Sequence, residues 1–294
     1  MKRFAIIGAA GYVAPKHMEA IKATGNELVA AYDKFDSVGV MDRYFPYADF
    51  FIEFERFDRH LEMLKREGKG IDYLVVCSPN YLHDAHCRYG LKLGADIICE
   101  KPVVLNARNI DGLQLVETQT KQRINCILQL RLHPKIVALK KEIEEAPASK
   151  DYKIDLKYIT HRGNWYNISW KGDDTKSGGI ETNIGIHLFD MLIYLFGNPT
   201  EVSESSKSDK SAKGSLKFKN AAVDWFLSID ANDLPEGNGS SSFHRSIVID
   251  YSLLDFTSGF DQLHIQSYEA ILRGEGFGLD DARDSIELVN EIRG

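Results

Sequence analysis

The chain has 294 residues, of which 44% are hydrophobic and 27% are charged, and its net charge is −7. This composition is typical of a globular protein with room for two domains, and an acidic chain lacks the basic footprint of a nucleic-acid-binding protein. No stretch has the ~20 apolar residues of a membrane span, and no secretory leader pattern follows Met1. The four cysteines have no metal-type spacing. We therefore expect a cytoplasmic protein without nucleic-acid or membrane partners and without a metal.

The first half of the chain alternates apolar runs with helix-compatible segments. Helices are predicted between the runs, at 15–24, 57–67, 81–93 and 106–121, with a helix-compatible stretch at 37–44. The apolar runs predict strands at 3–8, 27–33, 48–53, 71–79, 95–102 and 124–132. Strands that alternate with helices indicate a doubly wound parallel sheet of βαβ units, and continuous apolarity is typical of strands buried on both faces.

After a charged helix at 134–146, the pattern changes. The segments 151–163, 215–230 and 246–251 alternate apolar with polar residues, which predicts a half-exposed, mostly antiparallel sheet. Helices are predicted at 182–196, 261–274 and 279–293, and surface loops at 203–215 and 237–242. We therefore predict an α/β domain over 1–132, followed by an α+β domain over 133–294.

A glycine-containing turn, GAAGYVA (8–14), joins the first predicted strand to the first helix. Gly8 and Gly11 allow a tight turn, and the amides of Tyr12, Val13 and the helix start would face the pyrophosphate of a dinucleotide. Asp33 ends the second strand, 22 residues after Gly11. A carboxylate there would accept hydrogen bonds from an adenosine ribose and repel the extra phosphate of NADP, so we expect NAD. The alternative for Asp33 is a turn or helix-cap residue.

Polar residues also follow the fourth and fifth strands. SPNYLH (78–83) leaves the fourth strand and CEKPV (99–103) includes the end of the fifth. Ligands of open parallel sheets bind outside the carboxyl ends of the strands. We therefore expect the cofactor to be met by five residues at these two ends, namely Ser78, Asn80, His83, Glu100 and Lys101. For Lys101, the alternative is a strand that stops with charges because it has reached solvent.

The second informative stretch is GGIETNIGIHLFD (178–190). On an α-helix, Asn183 and His187 are spaced i,i+4, and His187 and Asp190 i,i+3, so the three side chains can share a face. A histidine oriented by a polar neighbour can act as a general acid or base near neutral pH. A core histidine bonded to backbone is an equally weighted alternative at this point.

A third stretch, RGNWYNISWKGDDTKSGG (162–179), combines aromatic, amide and cationic side chains. Aromatic faces can stack on a base or sugar, and cations can meet a phosphate or carboxylate. The alternative is an exposed hairpin with a few packed tryptophans. The residues that we expect to bind the substrate are Asn164, Trp165, Tyr166, Trp170, Lys171, Gly179 and Asn183, together with Arg131.

These motifs together resemble the Gfo/Idh/MocA sugar-dehydrogenase family, over essentially the whole chain and in the right order. The resemblance implies an N-terminal Rossmann domain, a C-terminal domain with an open, mostly antiparallel sheet, and oxidation or reduction of a sugar-type hydroxyl with NAD(P). It gives Lys101 the role of the family's EKP lysine and His187 that of its catalytic histidine. It also implies a homo-oligomer, a dimer or a tetramer, in which another subunit covers one face of the second sheet.

The chain has Asn183 where many members of the family have an aspartate. Since an amide cannot relay a proton as a carboxylate can, Lys101 and His187 are left with the acid/base work and Asn183 with positioning. Three further stretches, QLRLHP (129–134), DWFLSID (224–230) and GFGLDDARDSIEL (276–288), resemble the branch that oxidises UDP-N-acetylglucosaminuronate at its 3-hydroxyl in lipopolysaccharide-sugar biosynthesis, and that branch also carries the asparagine.

Two other functions stay open from sequence. One is a dehydrogenase of a free sugar or inositol, against which the aromatic and polar stretch 162–171 argues, since it suits a larger, anionic substrate. The other is a non-catalytic NAD-binding regulator, against which the presence of both Lys101 and His187 argues. The sequence does not decide which of these two residues is the base.

Overall fold

The computed structural model describes residues 1–203, 206–236, 241–254 and 259–294. The chain forms two compact units, the first comprising Met1–Gln129 and Gln262–Arg283 and the second Leu130–Asp261 and Asp284–Gly294. Sequence analysis instead predicts a single boundary after residue 132. The difference lies in the C-terminal segment, because Tyr268 and Ile271 are buried in the core of the first unit. Among the described residues, no helix has the length and apolarity needed to cross a membrane.

The first unit is a parallel sheet in the order β3-β2-β1-β4-β5-β6, which confirms the predicted fold class. This is the strand order of a Rossmann fold. Its strands are β1 (Arg3–Ile7), β2 (Glu27–Tyr32), β3 (Asp49–Phe51), β4 (Tyr73–Val76), β5 (Asp96–Cys99) and β6 (Ile124–Cys126). Its helices are α1 (Ala14–Ala23), α2 (Met41–Tyr44), α3 (Phe54–Arg66), α4 (His83–Leu93), α5 (Arg108–Thr120) and, late in the chain, α10 (Leu263–Leu272).

The core of this unit explains why these runs form strands. Phe4 and Ile6 of β1, Val75 of β4 and Ile98 of β5 are fully buried, as continuous apolar strands covered on both faces should be. The predicted sixth strand, 124–132, is wrong beyond Cys126, because the chain turns there and forms a 3-10 helix over Gln129–Leu132. The apolar residues after Cys126 are apolar because they are buried, and they do not form a strand.

The second unit is a mixed sheet in the order β13-β12-β7-β11-β10-β8, with β9 paired to β10. Most neighbours are antiparallel, as predicted, but the pair β7 and β11 is parallel. The strands are β7 (Tyr152–Thr160), β8 (Glu201–Val202), β9 (Ser206–Lys207), β10 (Ser211–Lys217), β11 (Ala221–Ser228), β12 (Phe243–Ile249) and β13 (Ser252–Leu254). The helices in this part of the chain are α6 (Pro134–Glu145), α7 (Trp165–Ile168), α8 (Asp174–Ser177), α9 (Ile186–Phe196) and α11 (Leu279–Arg293), whose first turns belong to the first unit.

Two details of this sheet differ from the sequence analysis. The predicted loop 203–215 contains β9 and most of β10, because alternating serines and lysines are also the composition of solvent-facing edge strands. The predicted strand 215–230 is instead part of a hairpin of β10 and β11. Residues 237–240 of the other predicted loop lie outside the described residues.

A π-helical turn over Glu181–Gly185 leads into α9, where an α-helix is predicted from residue 182. A Cβ atom at Gly185 would lie 2.6 Å from Leu227 Cδ1 and 2.8 Å from Phe189 Cε2, so a larger residue would force these side chains to shift. The glycine therefore lets the turn pack directly against β11.

Candidate functional site

The glycine turn after β1 is held by backbone hydrogen bonds. The amide of Gly8 donates to the carbonyl of Tyr32 at 2.8 Å, and the amide of Gly11 donates to the carbonyl of Gly8 at 3.0 Å. Gly8 has φ +93°, and a Cβ there would lie 2.5 Å from the carbonyl carbon of Cys77, so only glycine is tolerated. Helix α1 then begins at Ala14 with no acidic residue in its first turn, which keeps its positive end available to an anion.

The predicted ribose-binding residue Asp33 lies against this turn. One carboxylate oxygen accepts a hydrogen bond from the amide of Ala10 and the other from the amide of Phe35, each at 3.0 Å. Asp33 is half-buried, Val13 is half-buried and Tyr12 is fully exposed. An anion-binding turn with a carboxylate beside it fits a dinucleotide that has no phosphate on its adenosine ribose.

The exit of β4 is built from histidines as well as from the predicted Ser78 and Asn80, which are both buried. Ser78 Oγ lies 2.8 Å from His86 Nδ1. Burial lowers the pKa of His86 to about 4, so this ring is neutral at neutral pH. His86 is a residue that sequence reasoning missed, because a second histidine on α4 has no motif of its own.

His83, predicted to contact the cofactor, is fixed between two backbone carbonyls. Its Nδ1 lies 2.7 Å from the carbonyl oxygen of Pro102, and its Nε2 lies 2.7 Å from that of Ser78. Burial lowers the pKa of His83, and the two carbonyls act in the opposite direction because each can only accept a hydrogen bond, which favours an N–H on the ring nitrogen that faces it. The ring thus ties the exit of β4 to the exit of β5.

The exit of β5 places Glu100 and Lys101 side by side in the chain. Glu100 is buried, and its amide donates to the carbonyl of Val76 at 3.0 Å. Lys101 is half-buried, and the Lys101–Pro102 peptide bond is cis. The carboxylate of Glu100 is met by His17 Nε2 at 3.0 Å and by His264 Nε2 at 3.1 Å. Sequence reasoning missed both histidines, which lie 83 and 164 residues from Glu100.

In the second unit, the predicted catalytic stretch contains the π-helical turn. Asn183 is buried there, and its Nδ2 donates to the hydroxyl of Tyr166 at 2.7 Å. His187 follows in the first turn of α9 and is half-buried between fully buried neighbours. The structure therefore joins two of the predicted substrate residues, Asn183 and Tyr166, by a direct hydrogen bond.

Arg131 and Asp190 form a buried ion pair within the second unit. Arg131 donates from Nε to one oxygen of Asp190 at 3.0 Å and from Nη2 to the other at 2.8 Å. Both residues are nearly inaccessible to solvent. Asp190, which the helical spacing associates with His187, is therefore a partner of Arg131. Arg131 is predicted to bind the substrate, but two of its nitrogens hold Asp190 instead.

The stretch 162–179 forms short helical turns, where the alternative interpretation expects a hairpin. Asn164 precedes α7, in which Trp165 is 53% exposed and Tyr166 is buried. Lys171 lies with Nζ 4.6 Å from the centre of the Trp170 ring, both side chains being half-exposed. Gly179 has φ +78°, which lets the chain turn into the π-helical segment. An accessible cation and indole are therefore held next to each other.

Comparisons with known proteins agree with this geometry. The model of an oxidoreductase family, NAD-binding Rossmann fold, matches residues 2–127, and the model of the family's C-terminal alpha/beta domain matches residues 150–241. The chain is similar to the WlbA (WbpB) dehydrogenase from Thermus thermophilus, solved in complex with NAD and UDP-GlcNAcA, with 43% identity and a TM-score of 0.95 over 100% of this chain and 95% of that one.

Curated relatives are more distant. A putative oxidoreductase, YteT, from Bacillus subtilis is 25% identical over 57% of this chain, and an inositol 2-dehydrogenase from Rhizobium meliloti is 29% identical over 46% of it. The matched regions span only 37% and 40% of these two relatives' own lengths.

Proposed function

The chain belongs to the Gfo/Idh/MocA oxidoreductase family, and from this premise we propose that it oxidises the 3-hydroxyl of UDP-N-acetylglucosaminuronate to a ketone with NAD. The observation that carries the proposal is the full-length similarity, at 43% identity, to a dehydrogenase solved with NAD and UDP-GlcNAcA. Asn183, which the branch that the chain resembles also carries, and its bond to Tyr166 support the same substrate class.

The residues of the first unit fit NAD. The turn at Gly8 and Gly11 and the N-terminus of α1 would hold the pyrophosphate, because their amides and the helix dipole favour anions. Asp33 would accept hydrogen bonds from the adenosine ribose and disfavour NADP. Ser78, Asn80, Glu100 and Lys101 stand at neighbouring strand exits, where the nicotinamide end is expected. When bound, NAD supplies the hydride acceptor.

Two basic side chains carry the proton chemistry in this proposal. Oxidation of a hydroxyl removes a proton along with the hydride, and either Lys101 or His187 takes it as general base. The other stabilises the negative charge that develops on the oxygen. The amide of Asn183, held by Tyr166 at 2.7 Å, orients the sugar without taking up a proton.

The nucleotide sugar would bind through the stretch 162–179. Exposed Trp165 and half-exposed Trp170 offer faces for stacking, and Lys171 offers a charge to a phosphate or to the uronate. Asn164 lies near the start of this segment, and Gly179 is its last residue. Arg131 contributes less directly, since Asp190 already holds its guanidinium group.

The proposal extends to the setting of the reaction. A UDP-linked amino-sugar uronate is a precursor for lipopolysaccharide, so we place the protein in that biosynthesis and in the cytoplasm. We extend the proposal to a homo-oligomer, as the family resemblance implies, in which another subunit covers the face of the second sheet that carries Leu253, a residue that is 65% accessible.

A ligand analysis combined with an assay tests the proposal. Purified protein is denatured, and the released small molecules are identified by mass spectrometry. Oxidation is then followed by NADH absorbance with UDP-N-acetylglucosaminuronate, with UDP-N-acetylglucosamine as the matched control without the carboxylate, and with free uronate and inositol. Single-turnover measurements cover the case in which NADH stays bound.

We expect retained NAD(H) and turnover of the UDP-uronate alone. Comparable turnover of free inositol or of the free sugar would favour the first alternative function. Bound NAD without turnover of any hydroxyl substrate in single-turnover experiments would favour a non-catalytic regulator.

A further inference from the structure

Four buried side chains of the first unit form one continuous line of hydrogen bonds. The hydroxyl of Tyr268 lies 2.8 Å from His17 Nδ1, and His17 Nε2 lies 3.0 Å from Glu100 Oε1. His264 Nε2 lies 3.1 Å from the same oxygen. Tyr268 and His17 are fully buried, and Glu100 and His264 are 8% and 7% exposed. The line therefore links α1, the exit of β5 and α10.

The chemistry of the groups allows one arrangement of protons. Burial opposes the charge on Glu100, but the hydrogen bonds from His17 and His264 outweigh it and hold the pKa of this carboxyl well below its usual range. Because a carboxylate can only accept, both Nε2 atoms carry protons. Burial lowers the pKa of His17, so its Nδ1 keeps a lone pair and accepts from Tyr268. Burial raises the pKa of Tyr268, which therefore keeps its proton.

Lys101 follows Glu100 directly in the chain. Burial raises the pKa of both nearby thiols, Cys77 and Cys99, so they are neutral. The titratable groups that interact with Glu100 come from α1, the exit of β4, β5, α4 and α10, and they are His17, Cys77, Cys99, His83, His264 and Tyr268.

We propose that His17, His264 and Tyr268 are positioning residues that hold Glu100 as a fixed carboxylate beside Lys101, and that this fixed negative charge sets the pH range in which Lys101 works. The inference rests on the proposed function of Lys101. Glu100 is held at its backbone by Val76 and at its carboxylate by two helices, which fixes the position of its charge. A fixed negative charge favours the protonated form of a neighbouring amine.

The test uses Glu100→Gln, which removes the charge, and Tyr268→Phe, which removes one hydroxyl group. Tyr73→Phe is the matched control, because Tyr73 and Tyr268 both stack on Phe4, with ring centres 4.9 and 5.9 Å away, while Tyr73 has no part in the line. The pH profile of kcat/KM is measured for each variant. ¹⁵N-histidine NMR, assigned with His17→Gln, reports the protons on His17 without any substrate.

We expect Glu100→Gln to lower kcat by ~10–100-fold, with NAD affinity changed less than kcat. The limb of the profile that Lys101 controls should move to lower pH; this is the acidic limb where Lys101 is the base and the alkaline limb where it must stay protonated. Tyr268→Phe should lower kcat by ~3–10-fold without moving the limb, because the carboxylate remains. Tyr73→Phe should match the wild type. In the wild type, NMR should show His17 protonated at Nε2 only.

Three results would overturn the inference. The first is an unchanged kcat and profile in folded Glu100→Gln. The second is a His17 ring protonated at Nδ1. The third is one equivalent of zinc in the purified protein that is lost in Glu100→Gln, since His17, Glu100 and His264 offer ligand atoms within 4.8 Å of one another and a metal would displace both Nε2 protons. Inactivity of the wild type would count against the proposed function, while NMR would still test the line.

Discussion

The two regions that carry the proposed chemistry hold their side chains in different ways. In the first unit, Glu100 and Lys101 follow a buried parallel strand, and backbone bonds to the adjacent strand fix their place. In the second unit, Asn183 lies on a π-helical turn, and its side-chain amide donates a hydrogen bond to the hydroxyl of Tyr166.

The difference has a mechanical consequence. A group whose backbone is fixed by a sheet can lose its side chain without displacing its neighbours, whereas a side chain that is oriented by another side chain is disturbed when that contact is removed. We therefore expect substitutions at the strand exits to affect chemistry or charge directly, and substitutions in the second region to act through position.

Replacing Lys101 with Met should lower kcat by ~10²–10⁴-fold, the usual contribution of one acid/base group, while the unfolding free energy and NAD affinity stay near wild type. His187→Ala should have a similar effect, and the double variant should lose less than the product of the two, because residues acting as a unit are non-additive. Steady-state kinetics, calorimetry and NAD titration measure these effects. Exposed Lys92→Met is the control. A Lys101→Met enzyme with most of its turnover would make Lys101 a mere strand terminus.

Low pH should decrease the unfolding free energy of the protein through His86, whose ring contacts Ser78 after β4. The pKa of His86 is about 4 in the folded protein because the ring is buried, against 6.5 for the free side chain. Above pH 6.5, His86 is neutral in both the folded and the unfolded protein. As the pH falls, the unfolded protein takes up the proton first, so the unfolding free energy decreases between pH 6.5 and about pH 4. Between pH 7 and pH 4.5, the unfolding free energy of His86→Gln should decrease by about 2–3 kcal/mol less than that of the wild type. Urea unfolding at both pH values measures this, and parallel losses in both proteins would contradict it.

Truncating Lys171 to Ala should raise KM for the UDP-sugar by ~1.5–3 kcal/mol, or roughly 10–150-fold, with kcat nearly unchanged, because a charged hydrogen bond to substrate is lost. Trp165→Ala and Trp170→Ala test the stacking surface in the same assay. Lys176→Ala is the control, since Lys176 is an exposed neighbour paired with Asp173 at 2.9 Å. Unchanged KM in all three variants would place the substrate elsewhere.

Asp33→Ser should erode the preference for NAD over NADP by about tenfold or more, because the carboxylate that repels a ribose phosphate is removed. The ratio of kcat/KM for the two cofactors is the measurement. Asp36→Ser, an exposed acid three residues further on, should leave the ratio unchanged. Equal use of both cofactors by the wild type would remove the basis of this prediction.

Tyr166→Phe should give the smallest effect and addresses the second region most directly. Loss of the 2.7 Å bond frees the amide of Asn183, so we expect KM to rise by ~5–10-fold, about 1 kcal/mol, with kcat retained. If KM is unaffected while the unfolding free energy falls, Tyr166 supports the fold and does not position Asn183.

The strand-exit region could be predicted from sequence because successive βαβ units make all the strands of the sheet parallel. Once βαβ units are recognised, the carboxyl ends of β1, β2, β4 and β5 must share one edge, which brings the glycine turn, Asp33 and Lys101 to that edge. By contrast, nothing local relates His17 or His264 to Glu100. Their meeting depends on how α1 and α10 pack, which a single sequence does not encode as a pattern.

The second region was harder to predict for a geometric reason. The i,i+4 spacing of Asn183 and His187 assumes α-helical geometry, and the π-helical turn over Glu181–Gly185 changes the rotation per residue. The same assumption associates Asp190 with His187. In the structure, Asp190 accepts two hydrogen bonds from Arg131, which lies in a distant segment of the chain. In this region, residue spacing therefore predicts the helices better than it predicts the contacts between side chains.

The return of α10 to the first unit also bears on how the protein is made. Tyr268 is fully buried and stacks on Phe4, so the core that begins with the first strand is completed by a residue near the other end of the chain. At roughly 5–20 residues per second, Tyr268 is added on the order of 10–50 s after Phe4. During that time the nascent first unit exposes the apolar surface that α10 later covers. A ribosome-bound chain stopped before residue 262 should therefore recruit chaperones and resist proteases poorly, even with every strand of the parallel sheet already synthesised.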